Sequence, residues 1–482
     1  MARLPRLRRP RLRRRPINAA ADPRTEAPTE EAPTEVKPAE PAGGEPEEPR
    51  PRRRWRPRRP RPSRRAKLAG GAALLLGAGV VAAAAAGLFE SDEDPPPAPV
   101  APPPQPAETT PSEERPVAEA AAQLGFPVFA TKNTTRVGGA TPTADAAGVA
   151  LATFPSAGGV EPPRAVALAG EDDLAGALAA AVLMAEPLRV PLLLSTPDEL
   201  PEESEQALAA LAPEGGAETR GAQLLAIGDV EAPDGLKVTR VGAGGPAALA
   251  AAIDRLRGEL TGIEPEHVVV APLANPAFAM PAAAWAARSG DPVLFAAADS
   301  LPKATAKALQ RHRDARVYVL GPSSAISSRV VRQISRAADG AVRRVSGEDP
   351  VSNAIEFARY ADGNFGWNIN DPGHGFVLAS SGRPLDAAAA APLSASGTWG
   401  PLLLTDSADT LPGALRGYLL DVKPGYRSDP TRAFYNHIWI IGDQEAIDVS
   451  QQAAVDDLAE LARIGGKPER EPTRDGGGRG SS

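Results

Sequence analysis

Pro191 to Pro201 reads PLLLSTPDELP, and two later stretches follow the same plan: Pro292 to Pro302 (PVLFAAADSLP) and Pro401 to Pro412 (PLLLTDSADTLP). Each opens as a short apolar run, crosses a small acidic loop and ends on Leu-Pro, with Asp198, Asp299 and Asp409 three residues before the final Pro. A bounded apolar run of this length reads as a buried strand. Pro just beyond it suits a helix start, where its missing N–H would be unpaired anyway.

Two further features recur around that stretch. Downstream, a short strand ends in Gly each time: LLAIG to Gly228, VYVLG to Gly321 and IWIIG to Gly442. Upstream stands an Arg-Val step before a Gly-containing loop, at Arg136-Val137, Arg240-Val241 and Arg344-Val345, with consecutive arginines 104 residues apart. Between the strands lie helix patterns, such as the Ala-rich run from about Leu174. Short aliphatic strands separated by helices imply parallel pairing with right-handed crossovers, so each copy reads as a small three-layer α/β unit, Rossmann-like in the broad sense. The Arg-Val step is taken as the entry of each copy, giving units 117–237, 238–341 and 342–465. The third carries an extra stretch at about Val422 to His437.

This triplicated order resembles the cell wall-binding repeat 2 family over nearly all of residues 117–465. The resemblance implies three tandem Rossmann-like or Toprim-like units around a pseudo-threefold axis, and non-covalent attachment to anionic polymers of a cell wall. The chain also departs from the family's pattern. It reads GGATPTADAAG, GAGGPAALAAA and SGEDPVSNAIE after the Arg-Val step, lacks the second Gly after the closing strand, and keeps the Asp-Ala step of the first helix only at Asp386-Ala387. The fold tolerates those losses, whereas the family's ligand site does not transfer with it.

Of 482 residues, 53 are Pro, 46 Gly and none Cys, which excludes disulfides and thiolate chemistry. The apolar fraction of 42% contains few aromatics (4%), so Ala, Val and Leu supply the core, which suits close helix packing. The formal charge of -7 conceals an asymmetry. Residues 1–67 carry 21 Lys or Arg against 9 Asp or Glu, leaving 32 against 51 for the rest. This Arg/Pro/Glu-rich segment has too little aliphatic periodicity to fold and reads as a disordered basic tail. Leu68 to Phe89 is a 22-residue run without a charge. It is long enough to cross a ~30 Å hydrocarbon core as one transmembrane helix. Arg64, Arg65 and Lys67 precede it and Glu90, Asp92 and Glu93 follow, so the positive-inside rule places the tail in the cytoplasm and the repeats outside. A cleaved signal peptide is the competing reading, kept open by the run Ala82 to Ala86. Residues 90–116 form a Pro-rich linker, and 466–482 a Gly-rich disordered tail.

The middle unit is the basic one: residues 238–349 hold 14 basic and 10 acidic side chains, against 6 and 17 in 117–237 and 7 and 14 in 350–465. Lys303, Lys307 and Arg311 fall at i, i+4, i+8, and Arg329, Arg332 and Arg336 at i, i+3, i+7, so each trio lines one helix face. Two basic stripes suit a polyanion; the plain alternative is a pair of solvated helix faces. Trp367, in the loop DGNFGWNINDPGH from Asp362 to His374, is the candidate for stacking on a sugar ring. That loop spaces oxygen side chains by two but lacks the Glu of a calcium loop, and turn chemistry accounts for it. Gly242-x-Gly244-x-x-Ala247 matches a dinucleotide fingerprint only superficially, since no acid ends the next strand. The four His residues show no local acid or nucleophile pattern, and G-x-S-x-G is missing. The expectation is therefore a membrane-anchored, extracytoplasmic wall-binding protein, neither enzyme nor cofactor protein nor nucleic-acid binder. The alternatives are a small-ligand sensor or enzyme at the strand C-termini, or a protein-binding scaffold.

Overall fold

A computed structural model describes residues 129–155, 161–395 and 400–464. The basic tail, the apolar run 68–89, the linker 90–116 and the tail 466–482 lie outside the described residues. No described helix is long and apolar enough to cross a membrane.

The described chain opens with β1 (Phe129–Ala130), β2 (Thr134–Val137) and the helix α1 (Pro142–Thr153). Then come β3 (Val166–Gly170), α2 (Leu174–Ala180, prolonged by a 3-10 turn over Ala181–Met184), β4 (Leu192–Ser195), α3 (Glu202–Leu211), β5 (Leu224–Ile227), β6 (Val238–Val241) and α4 (Pro246–Thr261). The middle of the chain forms β7 (His267–Pro272), α5 (Met280–Ser289), β8 (Val293–Ala296), α6 (Lys303–Arg311), β9 (Arg316–Leu320), α7 (Ser328–Ala338), β10 (Val342–Val345) and α8 (Pro350–Arg359). The last part holds β11 (Gly375–Ser380), α9 (Leu385–Ala395), β12 (Leu402–Thr405), α10 (Gly413–Asp421), β13 (Gly425–Tyr426), β14 (His437–Ile441), α11 (Val449–Ala459) and β15 (Ala462–Arg463).

Three parallel sheets share one strand order: β4-β3-β5-β6, β8-β7-β9-β10 and β12-β11-β14-β2. The fourth strand is the Arg-Val strand, and it belongs to the preceding sheet, not to the unit it was expected to open. Arg240 lies opposite Ala226 on β5, and Arg344 opposite Val319 on β9. The third sheet has no later Arg-Val strand, and the N-terminal β2 takes the place, with Arg136 opposite Ile440 on β14. Each arginine thus faces the residue two before the closing Gly. The physical reason is pairing: the closing strand leaves an open edge, and the Arg-Val strand is the next extended segment to reach it. In the third sheet β1 then pairs antiparallel outside β2. The approach at this seam is tight, since a Cβ on Gly138 would lie 2.3 Å from the Gly442 carbonyl oxygen.

The helix after each Arg-Val strand carries the chain into the next unit. α1 packs on β4 and α3, α4 on β8 and α6, and α8 on β12 and α10. All three begin with Pro at the first turn, Pro142, Pro246 and Pro350. Thr141 and Asp349 cap two of them by accepting the Ala144 and Ser352 N–H groups at 3.1 and 2.8 Å. The helix after the first strand of each unit, α2 with its 3-10 turn, α5 and α9, packs against its two counterparts. Their contact faces are Ala: Ala177 and Ala179 to Ala181, Ala282 to Ala284, and Ala387 to Ala391, all buried. Small side chains let the helix axes approach closely, which explains a core this poor in aromatics. One apolar cluster runs through all three units, and a second, with Val268, Leu294, Val330 and Ile334, lies under the outer helices of the middle one. The extra stretch of the third unit folds as β13, a 3-10 turn at Pro430–Arg432 and a pairing of β13 with β15.

Candidate functional site

α6 and α7 lie side by side over one face of the middle sheet. Their inner faces are apolar: Ala308 and Leu309 on α6, and Val330, Ile334 and Ala338 on α7, are buried. That burial turns the other faces outward, and Lys303, Lys307, Arg311, Arg329, Arg332 and Arg336 are all exposed. Two stripes read from spacing therefore form one surface. Arg311 is tied down, donating to Asp254 on α4 at 2.9 Å and to the Ala251 carbonyl at 3.3 Å. The other five make no ion pair among the described residues. Exposed Arg313, just past α6, extends the surface; it falls outside the helical period and was missed for that reason. The matching helix of the first unit, α3, carries Glu202, Glu203 and Glu205 in its first turn, and that of the third, α10, has no acid there.

Trp367 does not join this surface, and its expected stacking role is corrected. It is 8% exposed and sits edge-on to Trp285 at 5.5 Å. The loop around it is an aromatic plug between the second and third units: Phe365 stacks on Tyr318 at 3.5 Å with ring planes 6° apart. Its oxygens serve the same joint. Asp362 accepts the Tyr318 hydroxyl at 2.6 Å and pairs with Arg343 at 2.7 Å. Burial and this carboxylate push the Tyr318 phenol up to about 12. An apolar-flanked Trp in a Gly/Asn loop gives no sequence sign of which way it turns.

The imidazoles are engaged structurally. His267 Nδ1 lies 3.2 Å from Asp291, which also accepts the Trp285 indole N–H at 2.8 Å, all three being buried. The glycine motif Gly242-x-Gly244-x-x-Ala247 turns β6 into α4 beside a crevice of about 360 Å³. Asp172, Asp173 and Asp229 line that crevice, which sets negative charge where a phosphate would sit.

A buried charged network escaped the sequence reading. At the seam between α1 and the third sheet, Arg383 lies between Asp145 and Asp386 and within 3.6 Å of Asp443. Asp145 and Asp386 are both fully buried, and Asp145 also accepts the Gly139 N–H at 2.6 Å. One guanidinium cannot balance three carboxylates in that setting. Burial raises both acids above the ordinary carboxylate range; the charge of Asp386 lifts Asp145 further, and Asp386 itself is pushed up to about 6. The residues at the corresponding register elsewhere are Leu249 and Asn353, so this acid pair belongs to one seam of three.

The fold is similar to those of two solved structures, Cwp8 and Cwp6 from Clostridium difficile. The TM-score is 0.53 for each, at 20% and 19% sequence identity over 68% of this chain. The likeness covers 52% and 48% of those chains, so this chain spans about half their length. At that identity the similarity is one of fold. No protein-family model and no curated protein matches the chain.

Proposed function

We propose that this is a cell wall-associated protein of the cell envelope, anchored by residues 68–89, whose triple α/β body binds an anionic envelope polymer. The binding face is α6 and α7 of the middle unit. The observation that carries the reading is that surface: five exposed cationic side chains without an ion pair among the described residues, on two adjacent helices. The fold shared with Cwp8 and Cwp6, and the resemblance of the repeats to the wall-binding family, support the same reading. The role is binding, not catalysis. Rim charges of this kind steer a polyanion through counterion release and screened attraction, so affinity falls as salt rises.

Purified, delipidated walls, and the same walls stripped of their anionic polymers, test it in a sedimentation assay. Changing Lys303, Lys307, Arg329 and Arg332 together to Glu should weaken binding to intact walls by about tenfold or more. Binding to stripped walls should already be low. Equal binding by the variant and the parent protein would sink the assignment of this face.

A further inference from the structure

The first unit lacks a helix that its two sisters possess. In the second unit, the chain between β9 and β10 runs from Gly321 to Ala341 and includes α7. Its start docks on the loop ahead of α6: Ser327 N–H donates to the Ala298 carbonyl at 2.8 Å, and Gln333 accepts the Leu301 N–H at 3.2 Å. The third unit repeats this with α11, where Asp448 N–H donates to the Ala408 carbonyl at 2.9 Å and the Gln451 amide donates to Ser407 and Ala408. In the first unit only Gly228 to Lys237 joins β5 to β6, with Pro233 and Gly235 inside it and no helix.

A groove of about 580 Å³ occupies the place of the missing helix. Leu200, Leu208, Ala209 and Leu236 form its apolar floor and wall, and Glu205, Glu214 and Asp234 its rim. The correspondence is fixed by shared bonds: Ser204 donates to the Leu194 carbonyl and Thr305 to the Phe295 carbonyl, each at 2.6 Å, so α3 sits on its sheet as α6 does. Leu200 is then the counterpart of Leu301, whose N–H meets α7 in the second unit. Of the three rim acids Glu214 pairs with Arg164 at 3.8 Å, while Glu205 and Asp234 have no ion pair among the described residues.

We propose that this groove receives a basic amphipathic helix from a partner protein. The sister units show the shape that fits: about three turns, with an apolar stripe like Val330, Ile334 and Ala338 pointing inward. The acidic rim selects its flanks, since Lys or Arg beside the stripe meets Glu205 and Asp234. A second copy of this chain is a poor occupant because the helix of matching pattern, α7, already buries its stripe in its own unit.

The probe is a labelled peptide of residues 323–340, cross-linked on its outward face so that helix nucleation does not mask binding. Fluorescence anisotropy against the intact chain should show saturable binding with a Kd of about micromolar order. Ala209→Trp, at an exposed position on the groove edge, should fill the groove and weaken binding about tenfold while leaving the melting temperature unchanged. Gln333→Lys and Ser335→Lys in the peptide, positions that flank the stripe, should tighten binding about threefold, and Glu205→Gln with Asp234→Asn in the chain should remove that gain. The proposal is overturned if the peptide fails to saturate, if Ala209→Trp leaves its affinity unaltered, or if sedimentation shows self-association abolished by Ala209→Trp.

Discussion

Arg136 and Arg240 hold the same register on the same strand of two sister sheets, yet they live in different surroundings. Arg136 is 1% exposed and donates to the carbonyls of Gly442, Asp443 and Ile447 at 2.7, 2.8 and 2.7 Å, and to Gln452 at 3.0 Å. Arg240 is exposed, and among the described residues it donates only to the Val230 carbonyl, at 3.0 Å. Arg344 stands between them, half-buried and bonded to the Gly321 and Ile326 carbonyls. What differs is the cover. In the third sheet α11 lies against β2 and supplies Gln452; in the first, no helix stands between β5 and β6. The arginine satisfies the carbonyls that a turn into a helix leaves open, so where the helix is lost its work shrinks with it. The missing helix therefore explains both a groove and an idle arginine.

Arg136→Met is the strongest way to break the comparison. It strands several buried acceptors at the seam where the N-terminal strand closes the third sheet, and should cost about 3 to 5 kcal/mol in urea unfolding. The seam's acid pair comes next. Because burial raises Asp386 in the folded state, its stabilising share is full below the unfolded carboxylate value and is lost as pH rises through about 6. The whole loss is roughly 3 kcal/mol, spread from about pH 3 to about pH 7. Asp386→Asn should flatten that part of the stability curve, raising the melting temperature relative to the parent at pH 8 more than at pH 5. A variant whose curve parallels the parent's would show the pair to be electrostatically silent. Arg344→Met should cost about 1 to 2 kcal/mol, since a half-buried site readmits water. Arg240→Met should fall within about 0.5 kcal/mol, and a cost equal to that of Arg136→Met would dissolve the contrast.

Much of this architecture is legible in the residues. The run Pro191 to Leu194 and its two echoes do become β4, β8 and β12, and the closing strands before Gly228, Gly321 and Gly442 are β5, β9 and β14. Leu200, Leu301 and Leu411 each pack partly buried against a core, as equivalent positions should. The basic trios also lie outward on α6 and α7, because an apolar stripe at helical spacing settles which face turns in. Trp367 and the acids of the Asp362 to His374 loop were not legible, for a loop has no period from which direction follows.

Local order is what the sequence alone determined: three copies of strand, helix and strand, in sequence, with the arginines 104 residues apart. Apolar period and turn chemistry act over a few residues, and each copy repeats them. Only the tertiary structure decided which strand closes which sheet. Thr134 to Val137 pairs with Ile438 to Ile441 from the far end of the described chain, and Asp145 joins Asp386 and Asp443 around Arg383 as a result. Backbone N–H and C=O groups are the same in every residue, so an Arg-Val strand carries no mark of its partner. The open edge left at β14, and the geometry that brings β2 to it, choose the pairing.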